Sequence, residues 1–172
     1  MSTKRQRYLP FLLTVLIILA DQASKAWVVT TIAENAIGYR FLGDFLAIVH
    51  VRNTAIAFSM GTDLAIWIKI VAFILLPLLL VVAAFILLLH PRTELRVIDR
   101  WVLAAFLGGG LGNLIDRIFR SFRVVDFISV KVYGFLGFER WPTFNVADAT
   151  LVVSGILLAL LLLVSKGDET DV

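Results

Sequence analysis

Apolar residues in this chain gather into long unbroken runs instead of marking one face of an otherwise polar helix. A helix crossing a bilayer core needs roughly 20 mostly apolar residues. Four runs reach that length, at about 9–29, 66–89, 98–116 and 147–164. The second is the most uniformly apolar, and Pro77 inside it predicts a kink that membrane helices tolerate. The other three carry polar residues near one end: Asp21 and Lys25 late in the first, Asn113, Asp116 and Arg117 late in the third, and Asp148 early in the fourth. Successive crossings alternate in direction, so the first and third helices run the same way and the fourth returns. All three polar ends then fall in one leaflet, which a random scatter of polar residues would not produce.

The connections on that side differ from the one opposite. The link from His90 to Val97 is short and broken by proline. The two longer connections, about 30–65 and 117–146, hold β-like patches, YRFLGDFLAIVHVRN and RVVDFISVKVYGF. Gly38, Gly43 and the Trp141-Pro142 turn punctuate them, predicting a small antiparallel sheet on the membrane surface. Trp27, Trp67, Trp101 and Trp141 lie near span ends, as interfacial anchors do. The polar tail from Lys166 to Val172 is expected to fray. No internal repeat is visible.

Composition agrees with an α-helical polytopic membrane protein built as a single membrane domain over residues 1–172: 60% of residues are hydrophobic, and mean hydropathy is +0.93. With no cysteine, disulfides, zinc thiolates and a cysteine nucleophile are excluded. A net charge of +3 carried by scattered bases argues against nucleic acid as a partner and for lipid headgroups. Lys4, Arg5 and Arg7 before an apolar run imitate a signal peptide. No small-x-small site follows, so the segment reads as a retained first helix. The basic N-terminal tail and Arg92, Arg96 and Arg100 favour cytoplasmic termini, whereas Arg117, Arg120, Arg123, Lys131 and Arg140 crowd the other side. The first helix is taken to decide, which leaves the outer arginines free for function.

Two carboxylates stand out. Asn145-Val-Ala-Asp148 opens a helix with the spacing of a capping box, so Asp148 either satisfies a backbone donor or does chemistry. A helix N-terminus favours its charged form. Asp126, in Val-Val-Asp-Phe of a predicted strand, is either a water-facing aspartate or the partner of Asp148 at the same leaflet. Two carboxylates close together in a poorly hydrated site share a proton, which supplies both a base for water and an acid for a leaving amine. Asn113 and Arg117 share a helix face with Asp116 beside it, and all three suit supporting roles; Asp116 and Arg117 could equally be an interfacial ion pair. Asp21 and Lys25, spaced i, i+4, read as a neutralising pair at the interface. Gly108 and Gly112 have the G-x-x-x-G spacing of close helix packing, and no Gly-Lys-Ser/Thr follows to make a phosphate loop. Arg120 and Arg123 are expected to anchor headgroups. His50 and His90 fall on opposite sides, so they form no common metal site.

In order along the chain, Asp21-Gln-Ala-Ser-Lys25, Asn53-Thr-Ala-Ile-Ala-Phe58, Gly112-Asn-Leu-Ile-Asp-Arg117, Val-Val-Asp126-Phe and Phe144-Asn-Val-Ala-Asp148 resemble the bacterial lipoprotein (type II) signal peptidase family. The resemblance implies an aspartic endopeptidase with Asp126 and Asp148 catalytic, and with Asn53, Asn113, Arg117 and Asn145 supporting the pair or holding substrate. It implies structural roles for Asp21, Lys25 and Asp116, and no metal or cofactor. Four transmembrane helices with a periplasmic β-cradle and a short periplasmic helix are implied as well. Substrates would be prolipoproteins carrying a diacylglyceryl cysteine, cut just before that cysteine. The enzyme would be a monomer among the phospholipids of the bacterial inner membrane, its site on the periplasmic side. One departure is Ala55, where the family usually has glycine. A second class, a small proton- or ion-coupled transporter, would want acids near the midplane and a repeated half, neither of which is visible. A non-catalytic scaffold would leave each acid dispensable.

Overall fold

The computed structural model describes residues 4–53, 65–90, 93 and 95–170, with side chains described as far as Leu163. In chain order the elements are α1 (Lys4–Tyr8), α2 (Pro10–Thr31), β1 (Ile37–Phe41), β2 (Leu46–Asn53), α3 (Ile66–Ile70), α4 (Leu76–Leu89), α5 (Val97–Phe119), β3 (Val124–Val130) and α6 (Val146–Thr170). One π turn, Val71–Leu75, joins α3 to α4. Four helical spans are long and apolar enough to cross a membrane: Lys4–Thr31, Ile66–Leu89, Val97–Phe119 and Val146–Leu163.

Helix α5 is the centre of the bundle. Within its apolar window 56% of residues are buried, against 11–22% for the other three spans, so the others pack around it and turn their remaining surface outward. Leu16, Leu79, Val153 and Leu160 are among the exposed apolar side chains on those outer faces, where lipid is the fitting solvent. Glycines let the neighbours come close. A Cβ on Gly109 would stand 2.7 Å from the Ala147 carbonyl oxygen of α6, and one on Gly112 would stand 2.8 Å from the Asp21 carboxylate of α2. At the other end of α5, buried Arg100 donates to the Leu88 carbonyl at 3.0 Å and the Thr93 carbonyl at 3.2 Å. The first bond answers an acceptor that the end of α4 leaves open, and the second holds the connection that follows.

The three strands form one antiparallel sheet in the order β1-β2-β3. Val51 pairs with Asp126 and Asn53 with Val124, and a bulge between Ile48 and Val51 bends β2. Val28 and Ile32 at the end of α2 pack against Val125 and Phe127, while Trp27 stacks on Tyr39 at 5.8 Å. The sheet is thereby fixed to the polar ends of the helices. Arg140 closes its far side, donating to Ser129 Oγ at 2.7 Å and to the Asp44 carbonyl at 3.0 Å.

Local details sharpen the expected fold. The last helix continues through Thr170, past the polar residues that begin at Lys166. Pro77 is accommodated by the π turn that precedes it. Outside the spans, the one short helix among the described residues is the single 3₁₀ turn Phe135–Gly137. Ala55 lies outside the described residues.

Candidate active site

The site is built on a buried lysine. Lys25, on α2 and fully shielded from solvent, meets Asp21 at 2.8 Å and Asp116 of α5 at 3.0 Å. It also donates to Asn113 Oδ1 at 3.1 Å. One cation between two buried carboxylates is tolerable only if their remaining lone pairs are satisfied. They are. Gln22 Nε2 donates at 3.1 Å to both Asp21 and Asp116. The Ala147 N–H donates to Asp21 Oδ1 at 3.0 Å, and the Val125 N–H to Asp116 Oδ2 at 3.2 Å. Those two backbone groups immediately precede Asp148 and Asp126. A single buried ion cluster therefore fixes the backbone under both candidate acids.

Two asparagines complete the link, and their orientations follow from donor chemistry. An ammonium can only donate, so Asn113 must turn Oδ1 to Lys25. Its Nδ2 then donates to Asp148 Oδ1 at 2.6 Å. Asn145 Oδ1 accepts the Asp148 N–H at 2.8 Å, while the Asn145 N–H donates to Asp148 Oδ2 at 3.2 Å, a reciprocal cap at the start of α6. That arrangement turns Asn145 Nδ2 to Asp126 Oδ1 at 2.8 Å. Asn53, on the neighbouring strand, donates to Asp126 Oδ2 at 2.9 Å. Asp126 is 2% exposed. Burial, then the charge of Asp148, pushes its carboxyl up to about 7 against the pull of the hydrogen bonds from Asn53 and Asn145 and the charge of Lys25.

Eight of the nine site residues that the motifs imply, all but Arg117, are joined by these contacts, with some pairings redrawn. Asp126 does not face water. Asp21 and Lys25 are paired, but in the interior and with a second acid. Asp116 pairs with Lys25 and, at 3.4 Å, with Arg120, so it is no partner of Arg117 and Arg120 is not simply a headgroup anchor. Arg117 instead reaches the Phe73 carbonyl at 3.4 Å, its guanidinium 5.5 Å from the Phe73 ring centroid. Gln22 was missed, although it lies inside the first quoted motif; a neutral side chain beside an ion pair gives no signal of its own. Among the described residues no three side chains of His, Asp and Glu gather as ligands for a metal.

A bundle of four apolar spans capped by a three-stranded sheet, with a buried Asp126 and a half-buried Asp148 linked through amides at the joint, defines a polytopic membrane protein with a site suited to acid–base chemistry. Residues 13–164 match the model of the signal peptidase (SPase) II family, and the chain belongs to that family. It is 45% identical over 156 residues to a lipoprotein signal peptidase of Treponema denticola, covering 91% of this chain and 89% of that protein. A lipoprotein signal peptidase of Borrelia hermsii is 39% identical over 172 residues, with 99% of each chain covered. Among solved structures, a bacterial membrane enzyme determined by the in meso method at 2.3 Å superposes with a TM-score of 0.76 and 25% identity, covering 93% of this chain and 90% of that one.

Proposed function

We propose that the chain hydrolyses the peptide bond before a diacylglyceryl-modified cysteine of prolipoproteins, with Asp126 and Asp148 as the catalytic pair. The observation that carries the reading is Asn145: it donates to Asp126 from its side chain and caps Asp148 with both its side chain and its backbone. Asp148, receiving Asn113 and the Asn145 N–H, is the ionised base; Asp126 carries the shared proton. Water attacks the scissile carbonyl carbon and gives its proton to Asp148, while Asp126 protonates the carbonyl oxygen. Collapse of the tetrahedral diol breaks the C–N bond, the leaving nitrogen takes a proton from Asp148, and the diol hydroxyl returns one to Asp126. Asn53 holds Asp126, Asn113 holds Asp148, and Arg117 adds positive charge beside the pair.

The relatives' substrates are lipoprotein precursors by name, and the placement of the acids where spans end suits a substrate anchored in one leaflet. The sheet side is periplasmic in this reading, the termini are cytoplasmic, and the membrane is the bacterial inner one. Purified protein in detergent with a diacylglyceryl precursor should release a product whose N-terminus is the lipidated cysteine, read by mass spectrometry. Equal cleavage of the unmodified precursor would refute the substrate class. Intact precursor after long incubation would refute the activity.

A further inference from the structure

The second span contains a feature that the catalytic pair does not use. Pro77 has no N–H, so the carbonyl four residues earlier, that of Phe73, lacks its ordinary helical donor. The preceding turn opens to π geometry over Val71–Leu75, with the Leu76 N–H reaching back to the Val71 carbonyl. π turns of this kind recur at functional sites. Here the Phe73 carbonyl is taken by Arg117 at 3.4 Å. Its ring lies under the same guanidinium at 5.5 Å, within the range of a cation–π contact. Phe73 is 1% exposed, so the seat is in the interior. From that seat the charge of Arg117 acts on both Asp148 and Asp126.

We propose that Pro77 and Phe73 are positioning residues: the proline frees a backbone carbonyl, and that carbonyl with the phenyl ring holds Arg117 beside the two carboxylates. This rests on the peptidase reading above. Arginine suits the seat because one planar group can donate at its edge while its face lies on a ring, which an ammonium cannot do. Replacing Pro77 by alanine restores an N–H that competes for the Phe73 carbonyl. It makes the helix more regular, so the variant keeps its fold.

The test is steady-state cleavage of the lipidated precursor by wild type, P77A, F73L, R117K and the double variant P77A/R117K, with pH profiles and melting temperatures. P77A should keep or raise the melting temperature and lower kcat by roughly ten- to a hundredfold, the size of a small misplacement, with little change in KM. Moving a cation away from the acids should shift the profile of P77A and of F73L toward higher pH by about half a unit. P77A/R117K should be no slower than R117K, because both changes act through one group. Wild-type kcat and pH profile in P77A and F73L, or a P77A penalty that persists undiminished in R117K, would overturn the seat. If wild type itself fails to cleave, the peptidase reading falls and the seat falls with it. Cleavage by wild type with unaffected P77A and F73L removes the seat alone.

Discussion

Asp126 accepts hydrogen bonds from two amides, Asn53 and Asn145, and such bonds leave a trace in a pH profile. With its carboxyl near 7, Asp126 keeps a proton below that pH and loses it above. The pair needs one proton to work, so cleavage should decline as pH rises past about 7. Asn53 donates to the ionised form and holds the value down; in N53A the alkaline limb should move up by a few tenths to about one unit. A limb that stays in place, or moves down, would separate Asn53 from Asp126. Lys25 is the other decisive side chain at this scale. K25M leaves Asp21 buried without its cation and Asp116 with only the longer Arg120 contact, a loss of about 3–5 kcal/mol. Thermal unfolding in detergent should show it as a markedly lower melting temperature. An unchanged melting temperature would mean that the cluster does not hold the bundle together.

Elements set the distances those side chains exploit. Helix α5 contributes Asn113, Asp116 and Arg117, while the short turn that follows returns the chain as β3 so that the Val125 N–H reaches Asp116. That turn holds Ser121 and Phe122 at positive φ, 53° and 65°, backbone that non-glycine residues seldom adopt. The strain is accepted where Asp126 must lie directly beside the helix it has just left. Close approach of α2 depends on Gly112, and G112A should cost about 1–3 kcal/mol by overpacking against Asp21. It should also slow cleavage, since Asp21 carries the Ala147 N–H before Asp148. Normal stability with normal turnover in G112A would show that α2 can yield without disturbing the site. The strands were legible as patches of β-branched and aromatic residues, and the helices as apolar runs. Convergence of the acids was legible because alternation places Asp21, Asp116 and Asp148 in one leaflet. The links through the Phe73 carbonyl and the Val125 and Ala147 N–H groups were not. Backbone atoms are the same at every residue, so no residue type announces them. The continuation of α6 to Thr170 was hidden for another reason: polar residues signal exposure, and exposure alone does not end a helix.

Across the whole molecule the division of labour is spatial. Apolar helix surfaces face lipid, the sheet covers one end, and the only dense gathering of buried charge among the described residues lies where the two meet. One half of that gathering, Asp21, Lys25, Gln22 and Asp116, fixes backbone and reaches the other half through Asn113. The other half, Asp126 and Asp148, is held by neutral amides that leave the carboxyl groups able to exchange protons. The most direct test of that division compares D126N, D148N and the double variant with wild type on a diacylglyceryl precursor, each checked for retained folding by its melting temperature. If the two aspartates act as one unit, each single variant loses cleavage and the double variant loses no more than either. Wild-type turnover in D126N or in D148N would contradict it.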